Sequence, residues 1–164
     1  MTIEQIKQAL TNPLPGLMGQ MKMAPQPPDG GPNRWDTPAN CREAGVLLLF
    51  YPRSSGEHRY PAELHLVLTR RTEYPGVHSG QISLPGGRRE AGEPLPETAL
   101  RETHEEIGVL PESLELLGHL SPLYTPPSNF CIYPFIAYSP TYPAFQLSTK
   151  EVAELVETPF RLLL

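Results

Sequence analysis

The chain has few of the features that mark secreted or membrane-embedded proteins. Its 164 residues include only two cysteines, Cys41 and Cys131, which are too few for a disulfide framework. We expect both to be reduced thiols of a cytoplasmic protein, and a single disulfide is the alternative left open. The apolar run at residues 46–51 is too short to cross a bilayer. The first residues lack the basic and apolar regions of a signal peptide. We therefore expect no contact with a membrane.

Positive charge is also scarce. Lysine and arginine total 13 against 18 for aspartate and glutamate, which gives a formal net charge of -5 and a pI near 5.5. This balance argues against a nucleic-acid-binding protein. A small anionic ligand is compatible with it, because local charge can oppose net charge. The length fits one domain with a single core, and the 21 prolines exclude long uninterrupted helices over most of the chain.

Composition divides the chain near residue 40. Residues 3–11 predict a short amphipathic helix. Residues 13–40 are rich in Pro, Gly, Met and Gln, and they predict either an extended arm on the domain or a disordered linker. We assign residues 1–40 to this helix and arm, and residues 41–164 to the compact domain. The arm is also the segment that we consider as the contact of a homodimer.

The compact domain is predicted to be rich in strands. Residues 44–51 and 63–69 predict two strands of a β-hairpin, and the second alternates, with leucines on one face. The leucines at 162–164 are typical of the opening of an amphipathic helix, so we expect the chain to be truncated there. Further strands are predicted at residues 114–120, 131–138 and 151–156, with a proline-bearing loop at residues 124–128.

The sequence predicts one helix and indicates where it begins and where it ends. It runs from Pro94 to Ile107, because proline suits a first helical turn and Gly108 suits a C-terminal cap. Its apolar face is formed by Leu95, Ala99, Leu100, Thr103 and Ile107. The helix periodicity turns His104 away from the glutamates described next, so we expect His104 to be exposed. The domain is therefore expected to be mixed α/β with few helices.

Three glutamates lie on one side of this helix. Glu102, Glu105 and Glu106 are spaced i, i+3 and i+4, which places them within an arc of about 100°. Converging carboxylates repel one another, and a divalent cation relieves that repulsion. Oxygen ligands favour Mg²⁺ or Mn²⁺, which keep coordination positions for water and phosphate oxygens. The spacing indicates metal-assisted attack of water on phosphorus. Considered alone, it also fits a solvated face with i, i+4 ion pairs through Arg101.

The wider segment GRREAGEPLPETALRETHEEIGV resembles the Nudix box. Only Thr103 departs, at a position where an apolar residue is usual. The resemblance implies a Nudix fold, in which a mixed β-sheet lies between helices and the box forms a loop-helix-loop. It also implies hydrolysis of a nucleoside diphosphate derivative. The seven fixed positions of the box are filled by Gly87, Glu93, Arg101, Glu102, Glu105, Glu106 and Gly108.

The same resemblance implies roles for these residues. Glu102 and Glu106 would be the principal ligands of Mg²⁺ or Mn²⁺, with Glu105 as a further ligand and the Gly87 carbonyl facing the metal. Glu93 and Arg101 would brace the loop by pairing. The general base varies among Nudix enzymes, so Glu102, Glu105 and a carboxylate outside the box, Glu151, are all candidates.

The preceding stretch LTRRTEYPGVHSGQISLPGG is similar to the coenzyme A pyrophosphatase branch of that family. It departs at Pro75-Gly76, where the branch usually has Leu-Arg. The implied substrate is coenzyme A or acyl-coenzyme A. Alternatives are ADP-ribose, NADH or a dinucleoside polyphosphate, and a non-catalytic binding module. Arginine and glycine suit phosphate contacts, with Arg71 the arginine best placed to make them. Tyr124 is the aromatic residue most suited to stack on a base. The substrate-binding candidates are Arg70, Arg71, His78, Gly80, Gln81 and Gly86.

Overall fold

A computed structural model describes residues 1–23, 37–54, 62–75 and 78–163, and these contain three α-helices and eight β-strands. None of these helices is both long and apolar enough to cross a membrane. The helices are α1 (Ile3–Leu10), α2 (Gly16–Met23) and α3 (Leu95–Ile107). The strands are β1 (Arg42–Arg53), β2 (Glu63–Arg71), β3 (Ile82–Ser83), β4 (Gly86–Arg88), β5 (Glu115–His119), β6 (Leu123–Thr125), β7 (Phe130–Tyr138) and β8 (Val152–Pro159).

The strands form one mixed sheet. Its main path runs β3-β2-β1-β7-β5, with β4 paired to β1, β6 to β7 and β8 to β2. The pair β1-β7 is parallel and the other pairs are antiparallel. Both faces of the central strands β1 and β7 are covered, because their side chains pack in hydrophobic clusters on the two sides of the sheet. This position explains their almost continuous apolar sequences.

The sheet lies between α3 on one face and α1 on the other. Leu47 of β1 packs in a cluster with Ala99 of α3, whereas Phe50 of β1 packs in a second cluster with Ile6 of α1. Successive residues of a strand point to opposite faces, so β1 contributes to both clusters. The expected mixed sheet between helices is confirmed.

Several predicted elements are present with small changes in their ends. The hairpin is confirmed, because β1 and β2 pair antiparallel with Phe50 opposite Leu66; residues 55–61 of its loop lie outside the described residues. The predicted helix is α3, and it ends at a left-handed Gly108 with φ of 75°. The leucines of β2 pack in the α1-side cluster and Val67 in the other, as the alternation predicts. His104 is exposed, as expected.

The first part of the arm contacts the domain, as one of the two expected alternatives has it, but it is helical and not extended. This part forms the helix α2, which Gln20 anchors by donating Nε2–H bonds to the carbonyl oxygens of Ser121 and Pro122 at 3.3 and 3.0 Å. These contacts come from a distant part of the chain, so local composition could not predict them. Residues 24–36 of the arm lie outside the described residues.

Two other segments also differ from expectation. The loop predicted at residues 124–128 instead begins as the short strand β6, which pairs with β7, and continues as a 3-10 turn at Pro126–Ser128. The last predicted strand extends further, to Pro159, and a 3-10 helix follows at Phe160–Leu163. The Phe160 ring packs edge-on against Phe50 at 4.8 Å.

The expectation of two free thiols is wrong, because Cys41 and Cys131 form a disulfide. Cys41 directly precedes β1, and Cys131 is the second residue of β7. The parallel pairing sets Arg42 opposite Phe130, which brings the two cysteine Cα atoms to 5.7 Å. The cysteines are separated by 90 residues in sequence, so only the sheet topology reveals that they are neighbours.

Removing this disulfide is expected to destabilise the domain. The double substitution Cys41→Ser and Cys131→Ser should lower the free energy of unfolding by about 3 kcal/mol, because the bridge restricts a long loop of the unfolded chain. Urea unfolding under non-reducing conditions measures this difference. Reductant should lower the stability of the wild type and leave the double variant unchanged. Equal stability of the oxidised wild type and the variant would show that the bridge does not stabilise the fold.

Candidate active site

The helix α3 is held unusually close to β1. A Cβ atom at Gly45 of β1 would lie 2.7 Å from the Leu95 carbonyl oxygen and 2.9 Å from the Ala99 nitrogen. The absence of a side chain at Gly45 therefore lets the helix backbone rest on the strand. This contact sets how α3 is rotated about its axis, and so determines which of its glutamates face inward.

The three glutamates of α3 differ in their surroundings. Glu106 is 3% exposed and Glu102 is half-buried, and both line one cavity of about 770 Å³. Glu105 is exposed and does not line that cavity. Its carboxylate accepts an N–H bond of 3.2 Å from Arg101 Nη1, the i, i+4 pair that the sequence allows. The helix thus presents two carboxylates to the cavity and one to solvent.

Two glycines of β4 bring the main chain against these carboxylates. The Gly86 N–H donates to Glu106 Oε2 at 3.1 Å. A Cβ atom at Gly87 would lie 2.2 Å from Glu102 Oε2, so any side chain there would displace the Glu102 carboxylate. The strand β1 supports α3 and also pairs with β4. Because of this pairing, β1 holds the glycine backbone of β4 opposite the glutamates.

The two inward carboxylates are costly to ionise. Burial raises the pKa of Glu106 to about 7, against the opposing effects of the Gly86 N–H bond and the nearby Arg71 charge. Burial also raises the pKa of Glu102, with the Arg101 contacts acting in the opposite direction. The negative charge of Glu151 adds to both increases. Charged partners are therefore needed to stabilise the fully ionised pair.

Arg101 and Glu93 tie the loop before α3 to the helix. Arg101 Nε donates to Glu93 Oε1 at 2.8 Å, and Arg101 Nη1 donates to Glu102 Oε1 at 3.0 Å. Glu93 also accepts the Thr98 hydroxyl at 2.7 Å. The Arg101 guanidinium, followed by the Thr98 hydroxyl and the Glu90 N–H, lowers the pKa of Glu93 to about 2. The expected bracing pair is present in the structure.

The donor set suits a hard cation without forming a complete metal site. In the described part of the chain, no three side chains of His, Cys, Asp or Glu lie close enough together to hold a metal ion. Glu105, the third box glutamate, is drawn to Arg101. Glu102 and Glu106 remain as two partly desolvated carboxylates in one cavity, which is a donor pair that Mg²⁺ or Mn²⁺ stabilises well.

Several residues that were predicted to bind substrate share the cavity with this pair. Arg71 reaches it from the end of β2, and its Nε–H is buried without a hydrogen-bond partner among the described residues. His78 and Gln81 lie on the same wall, with 2.9 Å between His78 Nδ1 and Gln81 Oε1. Glu151 also lines the cavity, although it lies outside the box. The cavity therefore combines carboxylates with an unpaired arginine donor.

Two of the predicted residues do not line this cavity. Arg70 precedes Arg71 in β2 and projects to the other face, where its Nε donates to Glu154 Oε2 at 3.0 Å. Gly80 adopts a φ of +66° in the turn before β3, and its N–H donates to the Thr72 carbonyl. Neither placement brings the residue against the glutamates.

Another part of the cavity lining was not predicted. Arg42 and Phe130 line the cavity, and the Arg42 guanidinium lies 4.3 Å from the Phe130 ring centroid. Tyr124, the predicted stacking residue, does not line the cavity and donates its hydroxyl to Asn129 Oδ1 at 3.1 Å. Arg42 is the first residue of β1, and its place at the start of a predicted compact domain is the sequence signal that could have drawn attention to it.

Burial of Glu106 predicts an unusual pH dependence of stability when divalent ions are chelated. The folded protein holds the Glu106 proton up to about pH 7, whereas an unfolded glutamate releases it near pH 4.5. Charging Glu106 therefore opposes folding above pH 7, and this penalty disappears as the pH falls toward 4.5. With EDTA present, Glu106→Gln should be more stable than the wild type at pH 8 by about 2 kcal/mol.

The same comparison near pH 4.5 provides the control for this prediction. There the wild-type Glu106 is neutral in the folded protein, so the two proteins should unfold at nearly the same urea concentration. A gain for Glu106→Gln that is equally large at both pH values would show that packing, and not charge, causes it.

Comparison with known proteins places this site in a recognised context. The NUDIX domain family matches residues 42–157. Nudix hydrolase 3 of Caenorhabditis elegans is 44% identical over 73 residues, covering 44% of this chain and 30% of that protein. The Uncharacterized Nudix hydrolase NudL of Yersinia enterocolitica is 35% identical over 122 residues, covering 74% of this chain and 58% of that protein. This chain thus spans less than two thirds of either relative.

A solved structure shows the same fold at lower identity. The binary complex of a C. elegans Ap4A hydrolase superposes with a TM-score of 0.60 and 20% identity, covering 74% of this chain and 82% of that one. The sheet and the box helix are therefore a known arrangement.

Proposed function

This chain belongs to the NUDIX domain family and its relatives are named Nudix hydrolases, and we propose that it hydrolyses the diphosphate bond of coenzyme A or acyl-coenzyme A. In this reaction the attacking water gives up a proton to a general base, its oxygen bonds to one phosphorus, and the bridging P–O bond breaks with its electron pair remaining on the released phosphate. The products would be 4′-phosphopantetheine, or its acyl form, and adenosine 3′,5′-bisphosphate. Mg²⁺ or Mn²⁺ is the proposed cofactor.

The observation that carries the proposal is the pairing of opposite charges in one cavity. Glu102 and Glu106 provide two carboxylates, and Arg71 provides a buried Nε–H without a partner among the described residues. An unsatisfied buried donor costs about 1–3 kcal/mol, and a phosphate oxygen would satisfy it. A diphosphate bridging a cation and Arg71 would therefore neutralise groups that are costly to leave alone.

We assign the cation to the carboxylates of the box. Glu102 and Glu106 would hold it, with the Gly87 carbonyl as a further ligand and Glu105 recruited from its pair with Arg101. A cation bound there would polarise the diphosphate and lower the pKa of a bound water. Arg71, His78, Gln81 and the Gly86 backbone would hold the substrate phosphates. Arg70 and Gly80 would act indirectly, by positioning β2 and the turn before β3.

Glu151 is our candidate for the general base that takes the proton from the attacking water. It lines the cavity with Glu102 and Glu106, but it directly precedes β8 and does not belong to α3. Its main chain is anchored, because the Thr72 N–H donates to the Glu151 carbonyl at 3.1 Å. The Glu151 carboxylate is close enough to raise the pKa of both Glu102 and Glu106. Glu102 and Glu105 remain the alternative bases.

The choice of substrate depends on the residues before the box. The run from Leu68 to Gly87 resembles the coenzyme A branch except at Pro75-Gly76, and Gly76 lies outside the described residues. A second candidate substrate is a dinucleoside polyphosphate, since the structural neighbour is named an Ap4A hydrolase. ADP-ribose and NADH are further alternatives that share the diphosphate. A non-catalytic binding module would have no need for the intact box glutamates.

A product assay tests the proposed reaction. The purified protein is incubated with Mg²⁺ or Mn²⁺ and equal concentrations of coenzyme A, ADP-ribose, NADH and Ap4A, and the products are separated by chromatography. Preferential release of adenosine 3′,5′-bisphosphate from coenzyme A is expected. Faster cleavage of another compound would keep the chemistry and reject the substrate. Ligand binding without any cleavage would favour the binding module.

The cytoplasm is the proposed compartment. Cytoplasmic thiol pools keep most cysteines reduced, so a cytoplasmic protein has to hold the Cys41–Cys131 bridge against reduction, and the burial of Cys131 limits access of reductants to it. Cell fractionation tests the compartment, and recovery of the protein from an oxidising compartment would reject the proposal. A homodimer formed through the arm is likewise a proposal, and light scattering of the purified protein tests it.

A further inference from the structure

A second, smaller cavity lies next to the catalytic one. Its volume is about 380 Å³, and its charged lining residues are Arg42, Glu43, Arg88, Arg89 and Glu90. Arg42 and Arg88 line both cavities. These two arginines therefore stand where the cavities meet, on the side of the catalytic cavity that is formed by β1 and β4.

The arginines of the second cavity differ in how far their charge is neutralised. Arg89 is paired with an anion, because its Nη1 pairs with the Glu43 carboxylate, and its Nε also donates to the Glu93 carbonyl. The Arg88 side chain forms no ion pair or hydrogen bond with any other described residue. Glu90, the remaining acid of this cavity, is exposed and accompanies two arginines. The charged residues that line the second cavity therefore carry a net positive charge.

Arg42 is held in place by groups that leave its charge intact. Its Nη2 donates to the Ser128 carbonyl oxygen, and its guanidinium lies over the Phe130 ring. Neither partner is an anion. A stacked guanidinium keeps the N–H donors at its edge available. The disulfide between Cys41 and Cys131 joins the residues adjacent to Arg42 and Phe130, so it restrains the stacked pair.

We propose that Arg42 and Arg88 form a second phosphate-binding subsite, which takes a phosphate monoester that the substrate carries in addition to its diphosphate. The inference rests on the proposed function, because the 3′-phosphate of coenzyme A is such a group. Arg71 lies near Glu106 and is assigned to the diphosphate, whereas Arg42 and Arg88 also line the second cavity. Planar guanidinium groups bind a phosphate dianion through charge-assisted hydrogen bonds.

The test compares coenzyme A with 3′-dephospho-coenzyme A, which differ only in this phosphate. In the double variant Arg42→Gln and Arg88→Gln, kcat/KM for coenzyme A should fall about 10- to 100-fold, which corresponds to losing charge-assisted hydrogen bonds. For the dephosphorylated compound, kcat/KM should change by less than about 3-fold. Arg71→Ala should lower both values alike. The control Arg161→Gln, at an exposed arginine that pairs with Glu63, should change neither.

An equal fall for both compounds in the double variant, or no fall for either, would overturn the subsite. If the wild type cleaves neither compound, the proposed function fails, and binding then tests the subsite separately. By calorimetry, the wild type should bind adenosine 3′,5′-bisphosphate at least about 10-fold more tightly than adenosine 5′-monophosphate, and the double variant should bind both alike. A wild type without this preference would reject the subsite whatever its substrate.

Discussion

Glu106→Gln is expected to lower kcat by at least about 1000-fold, the loss that corresponds to roughly 4 kcal/mol of transition-state stabilisation. Glu106 is the most buried carboxylate of the cavity, and in the proposed reaction it is a principal ligand of the cation. An amide has nearly the same shape but carries no charge, so it binds Mg²⁺ or Mn²⁺ weakly. Its oxygen can still accept the Gly86 N–H bond, so the fold should be retained.

Turnover of the compound that the product assay selects, measured at saturating Mg²⁺, tests this effect. Glu97→Gln is the matched control, because Glu97 is exposed on the same helix and lies outside the cavity; its kcat should stay within about 2-fold of the wild type. Circular dichroism of both variants should match that of the wild type. A Glu106→Gln protein that retains more than a tenth of the wild-type kcat would remove Glu106 from the proposed metal site.

Gly86→Ala is expected to lower the free energy of unfolding by about 3–5 kcal/mol. A Cβ atom at Gly86 would lie 2.4 Å from the Gly45 carbonyl oxygen and 2.6 Å from the Val46 Cα. Both are backbone atoms of β1, so no side-chain rotation can relieve the overlap. Gly86 also has a φ of +144°, a conformation that alanine strongly disfavours. Separation of β4 from β1 would move the N–H that supports Glu106, so activity should fall as well.

Gly92→Ala separates the two causes of this loss. Gly92 has a φ of +80°, but a Cβ atom there would meet nothing within 4 Å. Its destabilisation, about 1–2 kcal/mol, measures the cost of the backbone conformation alone. Urea unfolding of both variants gives the comparison. If Gly86→Ala is no more destabilised than Gly92→Ala, the close approach of β4 to β1 contributes nothing to stability.

Local pattern was sufficient for the parts of the site that lie close together in sequence. The spacing of Glu102, Glu105 and Glu106, with the apolar positions beside them, predicted one helix with an apolar face and a carboxylate face. Gly108 ends that helix in the left-handed conformation that glycine adopts without strain. Gly86 was predicted only as a substrate-binding residue. The structure gives a second reason for glycine at this position, because a side chain there would overlap the backbone of β1.

Long-range contacts were not predictable in the same way. No local pattern pairs Cys41 with Cys131, sets Arg42 over Phe130 or winds the arm into α2, because each depends on which strands become neighbours. Glu151 was a candidate only by resemblance, and its place beside Glu102 depends on the loop before β8. Composition argued for free thiols, and the parallel pairing of β1 with β7 overrode that expectation.

The sequence by itself thus determined the five longer strands β1, β2, β5, β7 and β8, the helix α3 and the identity of its carboxylates, since these depend on local periodicity. Only the tertiary structure decided which charges meet. It buries Glu106 while exposing Glu105, and it turns Arg71 inward and Arg70 toward Glu154. It also places Arg42 and Arg88 in the lining of both cavities. The physical reason is that burial and electrostatic pairing depend on distances in space, which the chain acquires only when β1 joins β4, β7 and α3.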